Sequence, residues 1–97
     1  MIELGDIKML SERANIYLKN ISFVFCIEQL PSGRQNYWNG FITDVKTDFI
    51  VFFDIKIMRE FPIPIDSIYG LEIAKQTNIT EVMAREIYYG WRKNNGR

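Results

Sequence analysis

The chain has 97 residues, with 12 Lys and Arg against 12 Asp and Glu, 47% apolar residues, one Cys and no His. These numbers fit one modest globular core with enough apolar surface to offset the entropy of ordering, which argues against disorder. They exclude an imidazole acid, base or metal ligand, and a single thiol builds neither a zinc nor an iron–sulfur site, so no cofactor or metal is expected.

Residues 1–6 carry neither a basic leader nor an apolar run, and the longest apolar stretches, such as residues 49–53, are far too short to cross a bilayer. The sequence therefore predicts a cytoplasmic chain with no membrane partner. Ile7, Leu10, Ala14, Tyr17, Leu18 and Ile21 recur at helical spacing, with Asp6 or Ser11 as N-cap, and predict a helix within residues 1–20. Its end is ambiguous, because Ile16 and Leu18 also fit the alternation that follows. Over residues 21–28 the period changes to two, with Ile21, Phe23, Phe25 and Ile27 on one face and Ser22, Val24, Cys26 and Glu28 on the other. Cys26, between Phe25 and Ile27, reads as a small core hydrophobe.

Turn formers over residues 31–36 end this first strand, and a second runs over residues 37–46. Asn39 and Gly40 fit either a tight hairpin turn or a mid-strand bend. The turn already supplied by residues 31–36 favours the bend, and the choice decides which of Tyr37 and Trp38 faces solvent. After a turn at residues 46–48, Phe49, Val51, Phe53, Ile55 and Ile57 alternate with Ile50, Phe52, Asp54 and Lys56. The first half of this third strand is apolar on both faces, which places it centrally, covered on both sides. A fourth strand at residues 61–65, one helical turn at 66–68 and a fifth strand at 69–74 follow. Asn78 and Glu81 have capping-box spacing for a last helix, with Ile79, Met83, Ile87 and Trp91 at successive fourth positions and fraying expected at Gly90.

Helix, five short strands and helix is the element order of an SH3-like small barrel, and residues 40–54 sharpen the comparison. They open on Gly40, turn at Asp48 and continue into Phe49 and alternating aliphatics. This stretch resembles the core of Sm and Hfq proteins, and residues 61–73 resemble their last two strands. The latter are also similar to the Sm-like C-terminal domain of ribosome-maturation factors. The resemblance spans residues 16–74 and implies a mainly β fold with flanking helices: an N-terminal helix over residues 1–20, a five-stranded SH3-like (Sm-like) barrel over 21–75, and a C-terminal helix with a basic tail over 76–97, all in one domain. It also implies work in RNA metabolism. The family's RNA-binding positions fall in the turn before the third strand and in the loop between the last two. Here they hold Phe49, Ile50 and Val51 after Asp48, and Ile65, Asp66 and Ser67, so no site residue carries over.

Candidate contacts come from the residues themselves. Arg34, Tyr37 and Trp38 set aromatics beside a guanidinium, an arrangement that stacks bases or grips a peptide. Arg92 and Lys93 beside Trp91 form a second such patch, within a segment (residues 85–97) of net charge +3 that leaves −3 on residues 1–84. Asp44, Asp48, Asp54 and Asp66 are the acidic candidates for catalysis, yet each has a plainer place in a turn or strand end, and no enzyme is expected. Pro62 and Pro64 delete consecutive N–H donors from one edge of the fourth strand, which disfavours a ring of subunits and favours a monomer or dimer. The expected function is weak RNA binding or assembly of an RNA–protein particle by a non-enzymatic barrel; the alternative is a protein-interaction adaptor of the same fold.

Overall fold

A computed structural model describes residues 4–75 and 79–95. Helix α1 (Leu4–Asn20) leads into five strands, β1 (Val24–Gln29), β2 (Gln35–Val45), β3 (Phe49–Asp54), β4 (Arg59–Pro64) and β5 (Ile68–Ile73), and helix α2 (Glu81–Asn94) closes the chain. A one-turn 3-10 helix, Ile65–Ser67, links β4 to β5. The strands form one antiparallel sheet in the order β4-β3-β2-β1-β5. No helix among the described residues is long and apolar enough to cross a membrane.

The connection between β4 and β5 shapes this sheet. In a flat sheet the two outermost strands would stand four spacings apart, about 19 Å. The 3-10 turn that joins them advances only about 6 Å over its three residues. The sheet therefore curls until its two edges approach each other at this end, although no ladder joins β4 to β5 among the described residues and the barrel is not closed. Its concave face, with α1, holds one core: Ala14, Val24, Cys26, Ile42, Ile50, Phe52, Ile63, Ile65, Ile68 and Leu71. The opposite face carries a second core, where Phe23, Phe41, Phe53, Ile55 and Ala74 meet Ala84 and Tyr88 of α2. β3 feeds both cores: Phe52 and Phe53 point to opposite sides and are each fully buried, as its two-faced apolar pattern predicts.

Two devices let one strand serve both faces. Gly40 lies inside β2, opposite Asp54, and a Cβ there would collide with the Phe53 carbonyl oxygen. The bend reading of Gly40 holds, and only glycine permits that approach. Two residues on, the register shifts between Ile42 and Asp44, and Thr43 is left as an unpaired bulge whose hydroxyl donates to the Val51 carbonyl at 3.3 Å. The bulge lets Ile42 and Val45 face the same concave core.

Several boundaries differ from expectation. α1 persists to Asn20, so Ile16 lies on the helix, exposed. Asp6 and Ser11 both fall inside it and neither is its N-cap. β1 begins at Val24, and of its two faces the one with Val24 and Cys26 is the more deeply buried, because it meets α1. β3 ends at Asp54, where its carboxylate captures the following turn, so Ile57 is not in the strand. Asp66 makes no cap to the 3-10 turn, which Pro64 enters without a side-chain bond. Asn78 lies outside the described residues; Thr80 caps α2, its Oγ1 accepting from Met83 N–H at 3.2 Å. The buried stripe of α2 runs through Ala84 and Tyr88, with Ile87 and Trp91 beside it, while Met83 is exposed. α2 does not stop at Gly90; it continues to Asn94, and Asn95 donates its backbone N–H and its side-chain amide to the Trp91 carbonyl.

Candidate binding cleft

The site arises where α2 stops covering its side of the sheet. Tyr88 and Trp91 lie over Phe41 and Phe53, leaving Phe25, Tyr37 and Asn39, on the same face but nearer the β1–β2 turn, without a helix above them. Tyr37 is 59% exposed, and its ring lies parallel to Phe25 with centroids 6.1 Å apart. Its hydroxyl donates to Gln35 Oε1 at 2.9 Å, which fixes the ring on the strand surface.

The turn after β3 builds the adjoining wall. Asp54 is buried, and its carboxylate accepts three backbone N–H groups: Asn39 on Oδ1 at 3.0 Å, and Lys56 and Ile57 on Oδ2, each at 3.0 Å. That leaves Lys56 and Ile57 exposed at the turn, with Met58 in the left-handed region at φ 53. Lys75, just past β5, and Ile79, just before α2, complete a cleft of about 520 Å³ over Phe23 and Ile55. A side branch, a second hollow of about 350 Å³ lined by Phe25, Glu72 and Ile73, shares Asn39 and Lys75 with it.

Tyr37 and Trp38 separate as adjacent strand residues must. Trp38 pairs with Cys26 and faces the concave core; its ring meets Phe61 edge-on at 4.8 Å and its Nε1 donates to Glu28 Oε1 at 3.2 Å. Trp38 borders the cleft, but its ring is committed elsewhere, and Tyr37 is the exposed member of the pair. Arg34 is exposed in the β1–β2 turn. Arg92 and Lys93 sit in the last turn of α2, with the Arg92 guanidinium 5.3 Å from the centre of the Tyr88 ring. The structure does not gather these five residues. Residues 34 and 41, the latter beneath Tyr88, are about 23 Å apart along the strand at ~3.3 Å per residue, so Arg34 and the α2 cations bound different regions.

Among the acidic candidates, Asp44 is paired with Lys46 Nζ at 3.1 Å and accepts the Val45 N–H. The Lys46 bond, then the Val45 bond, hold its carboxyl below the usual value. Asp48 contributes its carbonyl to Ile65 N–H, and Asp54 is committed to its turn. No group of three or more Asp, Glu or Cys residues placed to hold a metal ion occurs among the described residues. Burial pushes the Cys26 thiol up to about 12, with Glu28 adding to the effect.

Neither the family models nor the curated proteins contain a match to this chain.

Sequence reasoning missed Phe25, Asn39, Lys56, Ile57, Lys75 and Ile79. The signal for the first two was available in the alternation, since Phe25 and Asn39 fall on the face of Tyr37. Lys56 comes from the β3–β4 turn and Lys75 and Ile79 from the connection between β5 and α2, two connections that only the tertiary fold brings together.

Proposed function

We propose that this chain is a non-enzymatic binding domain with the strand order of an SH3-like, Sm-like small barrel, and that its cleft receives an extended segment of a protein partner. The observation that carries the reading is the uncovered end of the sheet face, where an exposed Tyr37 stacked on Phe25 borders a cleft lined by Phe23, Ile55, Ile57 and Ile79. An apolar lining interspersed with a few polar groups, here Asn39, Lys56 and Lys75, is the composition of a peptide-binding groove. The strand order supports the fold assignment: β5 returns beside β1 after a one-turn 3-10 helix. The non-enzymatic part rests on the carboxylates, whose positions are accounted for by turns.

RNA binding, or assembly of an RNA–protein particle, is the second reading. It is favoured by Arg92 over Tyr88, with Lys93 adjacent. The distance between Arg34 and these cations, and the zero net charge of the chain, make it the weaker of the two.

Selection from a random displayed-peptide library, run in parallel on wild type and Tyr37→Ser, tests the choice. Sequences enriched by wild type and lost with the variant, whose unfolding midpoint should be unchanged, support the peptide reading. Failure to enrich, together with oligouridylate binding that weakens steeply between about 50 and 200 mM salt and flattens in the Arg92→Ala/Lys93→Ala variant, establishes the RNA reading instead.

A further inference from the structure

Lys56 and Lys75 enter the cleft from different strands. Lys56 follows β3 and Lys75 follows β5, and between those strands lie β2 and β1, which bring Asn39 and Phe25. Both lysines are exposed, and neither belongs to the two ion pairs among the described residues, Lys46 with Asp44 and Arg85 with Glu81. Two carboxylates line the cleft and its side branch. Asp54 is buried and spends both oxygens on backbone N–H groups, and Glu72 stands in the side branch with Ile73. The main cleft is thus apolar below and cationic at its rim.

From this arrangement, and resting on the peptide reading above, we infer that the cleft selects an acidic–apolar–acidic segment. An extended peptide turns successive side chains to opposite sides, so an aliphatic or aromatic residue set on Phe23, Ile55 and Ile79 turns its two neighbours outward, about 7 Å apart. Asp or Glu at those neighbours meets Lys56 and Lys75, whose flexible stems reach over the rim while the ammonium groups stay solvated. A nucleobase fits this floor poorly. Its edge donors and acceptors would face Phe23, Ile55 and Ile79, with the Asn39 amide at hand and the Tyr37 hydroxyl, already donating to Gln35, left only as an acceptor.

The test uses three synthetic peptides of equal length, each with a central Leu flanked by two Asp, two Ser or two Lys, measured by fluorescence anisotropy at about 50 mM salt. The Asp peptide should bind wild type about tenfold more tightly than the Ser peptide, the advantage expected of two exposed charge pairs. In Lys56→Glu/Lys75→Glu the order should invert to favour the Lys peptide, a gain that misfolding does not produce. If Asp and Ser peptides bind alike and Tyr37→Ser abolishes both, the acidic preference is overturned and the peptide reading stands. If no peptide binds, or oligouridylate binds in a way the double variant abolishes, both are overturned.

Discussion

Asp54 shows how a single side chain fixes the geometry around the cleft. Its carboxylate accepts N–H groups from two places in the chain, Asn39 in β2 and Lys56 and Ile57 in the turn, and so ties the turn to the strand beside it. An amide of the same size offers one acceptor oxygen, and its NH2 end would face backbone donors. Asp54→Asn should therefore destabilise the fold by about 2 kcal/mol in urea unfolding, because a buried donor is left unpaired; a loss under about 0.5 kcal/mol, the ordinary range for surface changes, would show that solvent satisfies the turn. Ile21 illustrates the opposite balance. It sits in the left-handed region at φ 49, costly for a β-branched residue, as the residue after α1, with its N–H bonded to the Leu18 carbonyl and Ser22 N–H bonded to that of Tyr17. Glycine would relax there, yet Ile21 packs on the second core and its carbonyl accepts from Arg85 Nε at 3.1 Å, which joins the end of α1 to α2. Cys26 has a purely packing role. With its thiol pushed up to about 12 and fully buried, it should resist a thiol–disulfide reagent at pH 8 and react at once in denaturant; rapid modification of the folded chain would place the thiol within reach of solvent.

At the scale of elements, period and turn chemistry were legible, and the partner of each face was not. The alternation in residues 49–53 announced a strand buried on both sides, since Phe52 and Phe53 leave no polar face to expose. The bend at Gly40 was legible from turn spacing: a second turn so soon after residues 31–36 would leave only a scrap of strand between them. Less legible was the rotation of α2. A four-residue spacing from Ile79 to Trp91 fits a stripe through Met83, whereas the helix presents Ala84 and Tyr88, because Phe41 and Phe53 need a small residue and a flat ring above them. Tertiary packing overrides a sequence stripe that a single helix cannot choose by itself. The start of α2 was displaced for a local reason: the Thr80 hydroxyl meets the Met83 N–H directly. Thr80→Ala should cost about 1 kcal/mol in thermal or urea unfolding, the usual worth of such a cap. An unchanged midpoint would mean that the aromatic contacts alone hold the helix start. The cleft was the least legible feature, because Lys56, Lys75 and Ile79 meet only after the sheet has curled.

The whole molecule presents two sheet edges, β4 and β5, that no ladder joins among the described residues, and each is blunted by different chemistry. On β4, Ile65 N–H donates to the Asp48 carbonyl of the β3 side at 2.9 Å, so by alternation Ile63 and Phe61 also face β3, and the nitrogens of Pro62 and Pro64 face outward with no hydrogen to donate. On β5, Ala74 N–H donates to the Phe23 carbonyl, so Gly70 and Glu72 face β1 and Leu71 turns its carbonyl outward. That carbonyl accepts from Arg13 Nη1 of α1 at 3.0 Å. A second copy adding a strand to either edge would meet missing donors on one side and an occupied acceptor on the other. The chain should therefore elute as a monomer near 11.5 kDa by light scattering on a sizing column, well apart from the roughly 69 kDa of a six-membered ring. The same argument makes a stronger demand on a variant. Restoring the donors with Pro62→Val and Pro64→Val while releasing the acceptor with Arg13→Ala should produce concentration-dependent association, because valine favours the extended backbone and both edges then offer complementary groups. Neither change touches the concave core, since Pro62 and Pro64 are exposed and Arg13 reaches the edge from the helix surface. A ring in the wild type would show that β4 assembles despite its prolines, and a strictly monomeric variant at high concentration would show that the curl of the sheet, rather than the hydrogen bonding of its edges, keeps other strands out.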